Sequence, residues 1–250
     1  MTKIMLSVLL VTFAFGGLQG QGLKGLIKKA KGDSTGNSRL SGLLGVGSGG
    51  GLSTDEIASG LKEALKVGAE RGIAKLSSID GFFKEAAIKI LMPEEARKAE
   101  QKLRSLGFGK QVDEAILTMN RAAEDAAKSA APIFVNAIKS MSIQDAAGIL
   151  RGGDNAATDY LKGRTTLQLT EAFRPVIEKS LAIVDATKYW NTVFSTYNKF
   201  SIDKVNPDLS AYVTEKALSG IFYQVAQEEQ QIRKDPLARS SDILKKVFGK

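Results

Sequence analysis

From Ser53 to Lys250 the sequence repeats one pattern, in which apolar residues recur every three or four positions between helix start and stop signals. Ser53 with Glu56 has the spacing of a capping box, and Ser142 is placed to cap another helix together with Asp145. This spacing is typical of amphipathic helices. We therefore predict an all-α fold, a single multi-helix domain of roughly 8–10 helices.

The first half of this region divides at glycines and at Pro93. A helix is predicted from Ser53 to Leu76, and its glycines indicate close approach of another helix: Gly60, Gly68 and Gly72. The stretch from Asp80 to Met92 is predicted as a turn of helix followed by an irregular crossing. A helix from Pro93 to about Leu106 and a long one from about Lys110 to Ser129 follow.

The second half of this region contains a dense set of residues that typically end or begin helices. Gly152 and Gly153 end the helix capped by Ser142, and Asp154 is predicted to cap the next one. That helix is expected to reach a hinge at Gly163, and a further helix to break or bend near Pro175. Three more helices are predicted beyond it: an aromatic-rich one with Trp190 as a core anchor, one from Leu209 to about Lys234, and a C-terminal one capped by Ser241.

The N-terminal residues predict export. Lys3 and the apolar run from Ile4 to Phe15 have the length of a signal peptide, which we place at residues 1–20. Residues 21–52 are a basic, Gly/Ser-rich linker, and GVGSGG within it lacks the strand that a dinucleotide-binding loop requires. Its run from Gly22 to Lys31 is typical of a solvated tail, and the alternative is a short amphipathic helix in weak contact with an anionic membrane surface.

Composition excludes several kinds of chemistry. The chain has no His and no Cys, which excludes a His general base, Ser-His-Asp and Cys-His nucleophiles, and His- or Cys-ligated metals. Any reaction would rely on carboxylates, Lys, Tyr, Ser or Thr, or on a metal bound by oxygen alone. No cofactor and no metal are predicted.

The net charge of +8 does not indicate nucleic-acid binding. Lys3 and the linker account for five of these charges, and residues 53–250 carry 29 basic against 26 acidic side chains. Lysines and glutamates alternate along the predicted helices as they do on solvated faces. We therefore expect no nucleic-acid partner.

One charged pair on the helix from Lys110 has two interpretations. Arg121 and Glu124 stand three residues apart, away from the apolar face that includes Val112 and Ile116. Such a pair is usually a solvated ion pair. The alternative is that a second layer covers this side, so that the pair belongs to a buried polar network or a cleft.

The last long helix places Glu228 within its apolar stripe and Glu229 at the edge. A carboxylate on an apolar face must find a partner or change its pKa. Glu228 is interpreted as satisfied in the core by an arginine or backbone amides, as facing an internal cleft, or as exposed on a frayed face. Polar residues expected near such a cleft are Thr158, Tyr160, Arg121 and Arg233.

The corner Gly152-Gly153-Asp154 resembles a phosphate-binding loop, because glycines before a helix expose backbone amides. Asp154 itself is expected to occupy the positive end of the helix, which disfavours a bound phosphate. We therefore predict a helix-to-helix corner, with Thr158 and Tyr160 directed toward Glu228.

Five segments together resemble the bacterial exported family called domain of unknown function 4197. They are MNRAAEDA at 119–126, the P-x-F-x-x-A-I-x-x-M-S spacing at 132–142, DAAGILRGGDNAATDYL at 145–161, YVTEKALSGIF at 212–222 and EEQQIRKDPLAR at 228–239. The resemblance implies a helical, periplasmic domain. It implies no activity and no catalytic residues.

Three functions remain open. We favour a non-enzymatic exported protein that binds an unidentified protein or small ligand. The second is a carboxylate-dependent hydrolase or oxygen-ligated metal-binding protein, which requires at least two of Glu228, Glu229, Asp154 and Asp159 to converge. The third is a structural protein tethered to the cell envelope by the basic tail or an uncleaved signal segment. The predicted binding residues are Arg121, Glu124, Asp154, Thr158, Tyr160, Glu228, Glu229 and Arg233.

Overall fold

The computed structural model describes residues 53–183, 190–191, 194–195, 198–199, 204 and 208–234. Its α-helices are α1 (Thr54–Leu76), α2 (Arg97–Leu103), α3 (Gly109–Ala127), α4 (Ala130–Lys139), α5 (Ile143–Arg151), α6 (Ala156–Ala182) and α7 (Leu209–Lys234). These described residues contain no strand, and the prediction of an all-α fold is confirmed. The predicted signal peptide, linker and C-terminal helix lie outside the described residues.

Both predicted capping arrangements form. Ser53 and Glu56 cap α1 reciprocally, and Ser142 and Asp145 do the same for α5, where the Asp145 amide donates to Ser142 Oγ at 3.0 Å. Because these bonds join residues three apart, the local sequence is enough to specify them.

The core is built around α6 and α7, which pack against each other and against α3. α6 buries one row of side chains at helical spacing: Ala157, Thr158, Leu161, Thr165, Leu169, Phe173, Ile177 and Leu181. α1 lies across α7, where an added Cβ at Gly72 would be 3.2 Å from Gln224 Cγ. A Cβ at Gly68 would lie 3.1 Å from Ile232 Cδ1, so the predicted close approach at the glycines of α1 is confirmed for Gly68 and Gly72.

The 77–93 segment, residues 77–93 between α1 and the short 3-10 turn at Glu94–Ala96, crosses the bundle without forming an α-helix. Two helical turns close within it, where the Lys84 amide donates to the Asp80 carbonyl at 3.1 Å and the Lys89 amide donates to the Glu85 carbonyl at 2.9 Å. Phe82 and Ile90 are buried in the core. The predicted helical turn and irregular crossing are both present.

One predicted helix boundary is confirmed and another is wrong. Regular α2 ends at Leu103, and the turn that follows, Arg104–Phe108, is kinked at Gly107, whose φ of 91° separates α2 from α3 just after Leu106, near the predicted end. The hinge at Gly163 does not form, and α6 is one helix that continues past Pro175 as well. Pro175 lies on the exposed side, and the continuous buried row of α6 overrides the weak helix propensity of Gly163.

Part of the aromatic-rich segment is described. Trp190 and Phe194 are buried, with ring centroids 4.4 Å apart, and the Trp190 ring stacks on Tyr212 of α7 at 6.1 Å. Trp190 is therefore part of the core, as predicted. Tyr189, Val193 and Tyr197, which belong to the same prediction, lie outside the described residues.

Candidate functional site

The predicted binding residues separate into groups with different partners. The first group surrounds Glu124 of α3, whose Oε2 accepts a hydrogen bond from Arg121 at 2.6 Å. Its Oε1 accepts from the backbone amides of Phe82 and Phe83, at 3.1 and 3.2 Å. Glu124 is only 3% exposed. The alternative that this pair belongs to a buried polar network is confirmed, and the solvated ion pair is wrong.

This network fastens the 77–93 segment to α3. Arg121 also donates to Asp80 at 2.6 Å, and Asp80 has the positive φ of 69° that an aspartate tolerates. Hydrogen bonds from Lys84 and then Arg121 hold the pKa of the Asp80 carboxyl below its usual range. Asn120 completes the attachment, because its side chain accepts from the Ile90 amide at 2.9 Å and donates to the Ile90 carbonyl at 2.8 Å. These polar side chains therefore hold both ends of the 77–93 segment against α3.

The second group surrounds Glu229 of α7. Its Oε1 accepts from the Ala157 amide at 2.9 Å, and its Oε2 accepts from the amide and hydroxyl of Thr158, both at 2.8 Å. Arg233 donates to Oε1 at 2.8 Å and to the Ile149 carbonyl at 2.9 Å. This pair therefore caps the start of α6 and binds a carbonyl near the end of α5.

The prediction that Asp154 caps α6 is wrong. Asn155 occupies the N-cap position and makes no side-chain capping bond, while Asp154 is exposed and its Oδ2 lies 4.0 Å from Lys234 Nζ. The helix-to-helix corner does form at this point. Because Glu229 reaches the first amides of α6 from another helix, the cap could not be identified from residues near Asp154.

The sequence predicted that Tyr160 is directed toward Glu228, and this prediction is wrong. Its hydroxyl donates to Asp145 Oδ2 at 3.5 Å, and the Arg164 guanidinium lies 5.4 Å from the centre of its ring. Burial, followed by the nearby Asp145 charge, raises the pKa of Tyr160. Thr158 is also turned elsewhere, since its hydroxyl is bonded to Glu229.

Glu228 is buried but less completely bonded than its neighbour. Its Oε1 accepts from Gln224 at 3.2 Å, while its Oε2 has no hydrogen bond and lies 3.5 Å from Arg71 Nη1. The interpretation of a core glutamate paired with an arginine is therefore correct. Beside it lies an open depression of about 530 Å³, lined chiefly by glutamine and lysine side chains.

These carboxylates do not assemble into a catalytic or metal-binding cleft. Glu228 and Glu229 bond different partners, Asp154 faces solvent beside Lys234, and Asp159 is exposed. Across the residues that the structure describes, no group of three or more acidic side chains could hold a metal ion. The convergence required by the hydrolase and metal-site hypothesis is absent from this part of the chain.

A larger groove, whose position the sequence did not predict, lies between α7 and the 77–93 segment. This α7 groove has a volume of about 750 Å³. Its wall on α7 is formed by Tyr212, Glu215, Lys216, Ser219, Gly220 and Tyr223, and the facing residues include Lys89, Leu91, Met92, Pro93 and Arg97. The Tyr212 hydroxyl donates to the Leu91 carbonyl at 2.7 Å, which joins the two walls at one point.

Two signals in the sequence could have indicated this groove. Tyr212, Lys216, Ser219 and Tyr223 recur at helical spacing on a face of α7 outside the apolar stripe. Pro93 also forces the preceding residue away from helical geometry. The two signals are more than a hundred residues apart, so only the fold shows that they face each other.

Comparison with known proteins identifies the family alone. The family model described as Protein of unknown function (DUF4197) matches residues 51–249. No curated protein and no solved structure matches the chain significantly. In the described part of the chain, no helix is long and apolar enough to cross a membrane.

Proposed function

We propose that this chain, which belongs to the family described as Protein of unknown function (DUF4197), is an exported binding protein without catalytic activity. The α7 groove is its binding site, and an organic anion with an apolar body is its ligand. The observation that carries this proposal is the groove itself. Its volume of about 750 Å³ falls within the range typical of small-molecule sites.

The walls of the α7 groove are held in place before any ligand arrives. Asn120 binds both backbone groups of Ile90, and the Tyr212 hydroxyl binds the next carbonyl, that of Leu91. Tyr212 is itself stacked on Trp190. A site whose walls are already ordered loses less conformational entropy when a ligand binds.

The lining of the groove favours an anion. It contains the cationic side chains Lys89, Arg97, Lys204 and Lys216 against two acidic ones, Glu94 and Glu215. Glu94 is bonded to Arg97. Leu91 and Tyr223 are 50% and 41% exposed, and they provide apolar surface beside these charges. Positive charge next to exposed apolar surface suits a ligand with a carboxylate or sulfonate group and an apolar body.

The hydrogen bonds of the buried glutamates support the proposed absence of catalytic activity. Glu124 and Glu229 accept hydrogen bonds from the backbone and are paired with Arg121 and Arg233. A general base needs an accessible lone pair within reach of a substrate proton. These two carboxylates use their lone pairs to hold the fold together.

A fluorescent anion provides the test of the groove. We expect 1-anilinonaphthalene-8-sulfonate to bind at a saturable site, and Lys216→Glu or Leu91→Asp to weaken that binding about tenfold, equivalent to about 1.4 kcal/mol. Lys162→Glu, at an exposed position of α6 outside the groove, is the matched control for the charge change. Binding that is equal in all three variants, with unchanged circular dichroism, would refute the proposed site.

Export is part of the same proposal and is tested separately. The predicted signal peptide at residues 1–20 implies that the chain is cleaved as it leaves the cytoplasm. We expect the intact mass of the protein from a periplasmic fraction to correspond to a chain that begins between Gly16 and about Gly22. A full-length mass found only in the cytoplasm would contradict export and leave the α7 groove unaffected.

A further inference from the structure

α2, the turn after it and the start of α3 form a helical hairpin at the edge of the bundle. Neither α2 nor the Arg104–Phe108 turn contains a buried residue. Arg104 joins the two arms, since it donates to Glu100 of α2 at 2.9 Å and to Asp113 of α3 at 2.8 Å. The hairpin is therefore held in shape by its own contacts and presents its connecting turn to solvent.

The end of this hairpin, which we call the 102–110 tip, exposes a cluster of large apolar side chains. Leu103, Leu106 and Phe108 are 37%, 59% and 48% exposed. They lie within six consecutive residues around Gly107, whose φ of 91° permits the sharp turn. The other large apolar residues exposed in the described part of the chain are spread along it singly: Ile79, Leu91, Ile143, Leu167, Ile183 and Tyr223. Clustered exposed apolar groups mark interaction surfaces, whereas isolated ones need no explanation.

The charged residues nearest the connecting turn have one sign. Between Gln101 and Val112 the chain carries Lys102, Arg104 and Lys110 and no acidic residue. Arg104 is paired with Glu100 and Asp113, which lie farther along the two arms, so Lys102 and Lys110 are the remaining charges next to the cluster. Lys110 has 87% of its side chain exposed and lies 4.0 Å from the nearest carboxylate, that of Glu114.

We propose that the 102–110 tip inserts into the surface of an anionic lipid bilayer, with Leu106 and Phe108 entering the interface between headgroups and acyl chains. Lys102 and Lys110 would then lie among the lipid phosphates. A projecting tip does not enclose a small ligand, whereas the boundary between lipid headgroups and acyl chains admits apolar side chains to a depth of about 5–10 Å. The positive charge complements the negative surface potential of anionic lipids. This site is separate from the α7 groove and from the N-terminal tail.

Phe108→Trp provides a reporter at the tip itself. The full chain carrying F108W is mixed with vesicles of equal parts phosphatidylcholine and phosphatidylglycerol, with and without bromine on the acyl chains. We expect bromine to quench the fluorescence that F108W adds to that of the parent chain, in which Trp190 is buried. Leu167→Trp, at an exposed position on α6 with uncharged neighbours, is the matched control and should not be quenched.

This design separates the tip from other routes to the membrane. If the chain binds vesicles through its N-terminal residues alone, it will sediment with them while F108W remains unquenched, and that result overturns the proposal. Equal quenching of F108W and L167W, or no binding to vesicles, overturns it as well. Absence of quenching together with concentration-dependent self-association would assign the tip to contact between two copies instead.

The role of charge is tested in the F108W background. We expect Lys102→Gln combined with Lys110→Gln to raise the lipid concentration needed for half-maximal quenching about thirtyfold, since each basic residue near an anionic surface contributes roughly fivefold. Lys162→Gln combined with Lys179→Gln, at two exposed positions of α6, removes the same charge elsewhere and should change it little. An equal effect of the two double substitutions would show that net charge, rather than the tip, attracts the protein.

Discussion

The 77–93 segment and the corner between α5 and α6 are both irregular stretches of backbone held by a glutamate from another part of the chain. Glu124 binds two amides of the 77–93 segment, and Glu229 binds two amides at the start of α6. Each glutamate also pairs with an arginine on its own helix. In both regions, backbone amides that have no partner within a helix are buried. One carboxylate can accept several hydrogen bonds, so a single glutamate satisfies the amides of each region.

The two arrangements differ in how far they are removed from water. The Arg121 side chain is 37% exposed and also reaches Asp80, whereas the Arg233 side chain is 15% exposed. Glu229 additionally faces the positive end of α6. We therefore expect the Glu229 arrangement to contribute more to global stability and the Glu124 arrangement to act mainly on one segment.

The largest expected effect is that of Glu229→Met. It removes the acceptor of the Ala157 and Thr158 amides and the carboxylate that pairs with Arg233, and we expect a loss of about 3–5 kcal/mol in the free energy of unfolding, measured in urea. Glu228→Met is the matched control at the adjacent position. Because Glu228 Oε2 lacks a hydrogen bond, we expect that substitution to be neutral or stabilising. Equal losses for both would contradict the assignment of Glu229 as the cap of α6.

Glu124→Met should have a smaller and more local effect. The Phe82 amide loses its acceptor in the core, at a cost of about 1–3 kcal/mol, while Arg121 remains accessible to water. We expect hydrogen exchange to accelerate at Phe82, Phe83 and Ile90 more than at the amides of α6. Uniform acceleration throughout the molecule would show that the two regions do not differ as proposed.

Gly220→Ala tests how tightly the 77–93 segment is packed on α7. A Cβ at Gly220 would lie 2.5 Å from Phe82 Cε1, so the ring must shift, and we expect a loss of about 1–3 kcal/mol in urea unfolding. Gly163→Ala provides the control, because a Cβ there meets nothing within 4 Å. That change should stabilise the continuous helix α6 by about 0.4–1 kcal/mol. Destabilisation by Gly163→Ala would favour the hinge that the structure lacks.

The smallest expected effect is a dependence on pH. Since the pKa of Asp80 is lowered in the folded protein, the native state binds fewer protons than the unfolded chain as pH falls below about 4, and stability decreases. The contribution is fully present above the ordinary pKa of an aspartate and is lost as pH falls through the lowered value. Urea midpoints of the parent and Asp80→Asn should therefore differ at neutral pH and converge in acid.

Glu171→Gln is the control for that measurement, because it removes a charge from an exposed position of α6. A difference between the parent and Asp80→Asn that persists unchanged into strong acid would show that the Asp80 carboxylate is not the group responsible. Local proteolysis within the 77–93 segment at low pH would further locate the effect there.

The features predicted correctly are those that depend on nearby residues. The Ser53–Glu56 and Ser142–Asp145 capping boxes, the extent of α7 and its buried glutamates follow from spacings of three to four residues. The errors have long-range causes. At Gly163 the buried face of α6 outweighed local propensity, and at Asp154 a glutamate from another helix performed the capping.

The candidate site could be predicted less well. The sequence identified buried polar residues but grouped Arg121, Tyr160 and Glu228 in one cleft, whereas each has different partners. The α7 groove was not predicted, because its two walls belong to segments distant in the chain. The apolar and basic residues of the 102–110 tip can be identified in the sequence. Only the structure shows that the apolar ones are exposed to solvent rather than buried in the core.

The sequence by itself determined the helices, most of their limits, the absence of His and Cys chemistry, and the family. Helix periodicity and capping act over a few residues, so they can be read along the chain. Only the tertiary structure decided which polar groups meet, as when Glu229 reaches Ala157 across 72 positions of sequence. A buried carboxylate must be satisfied, but nothing local specifies which distant amide will satisfy it.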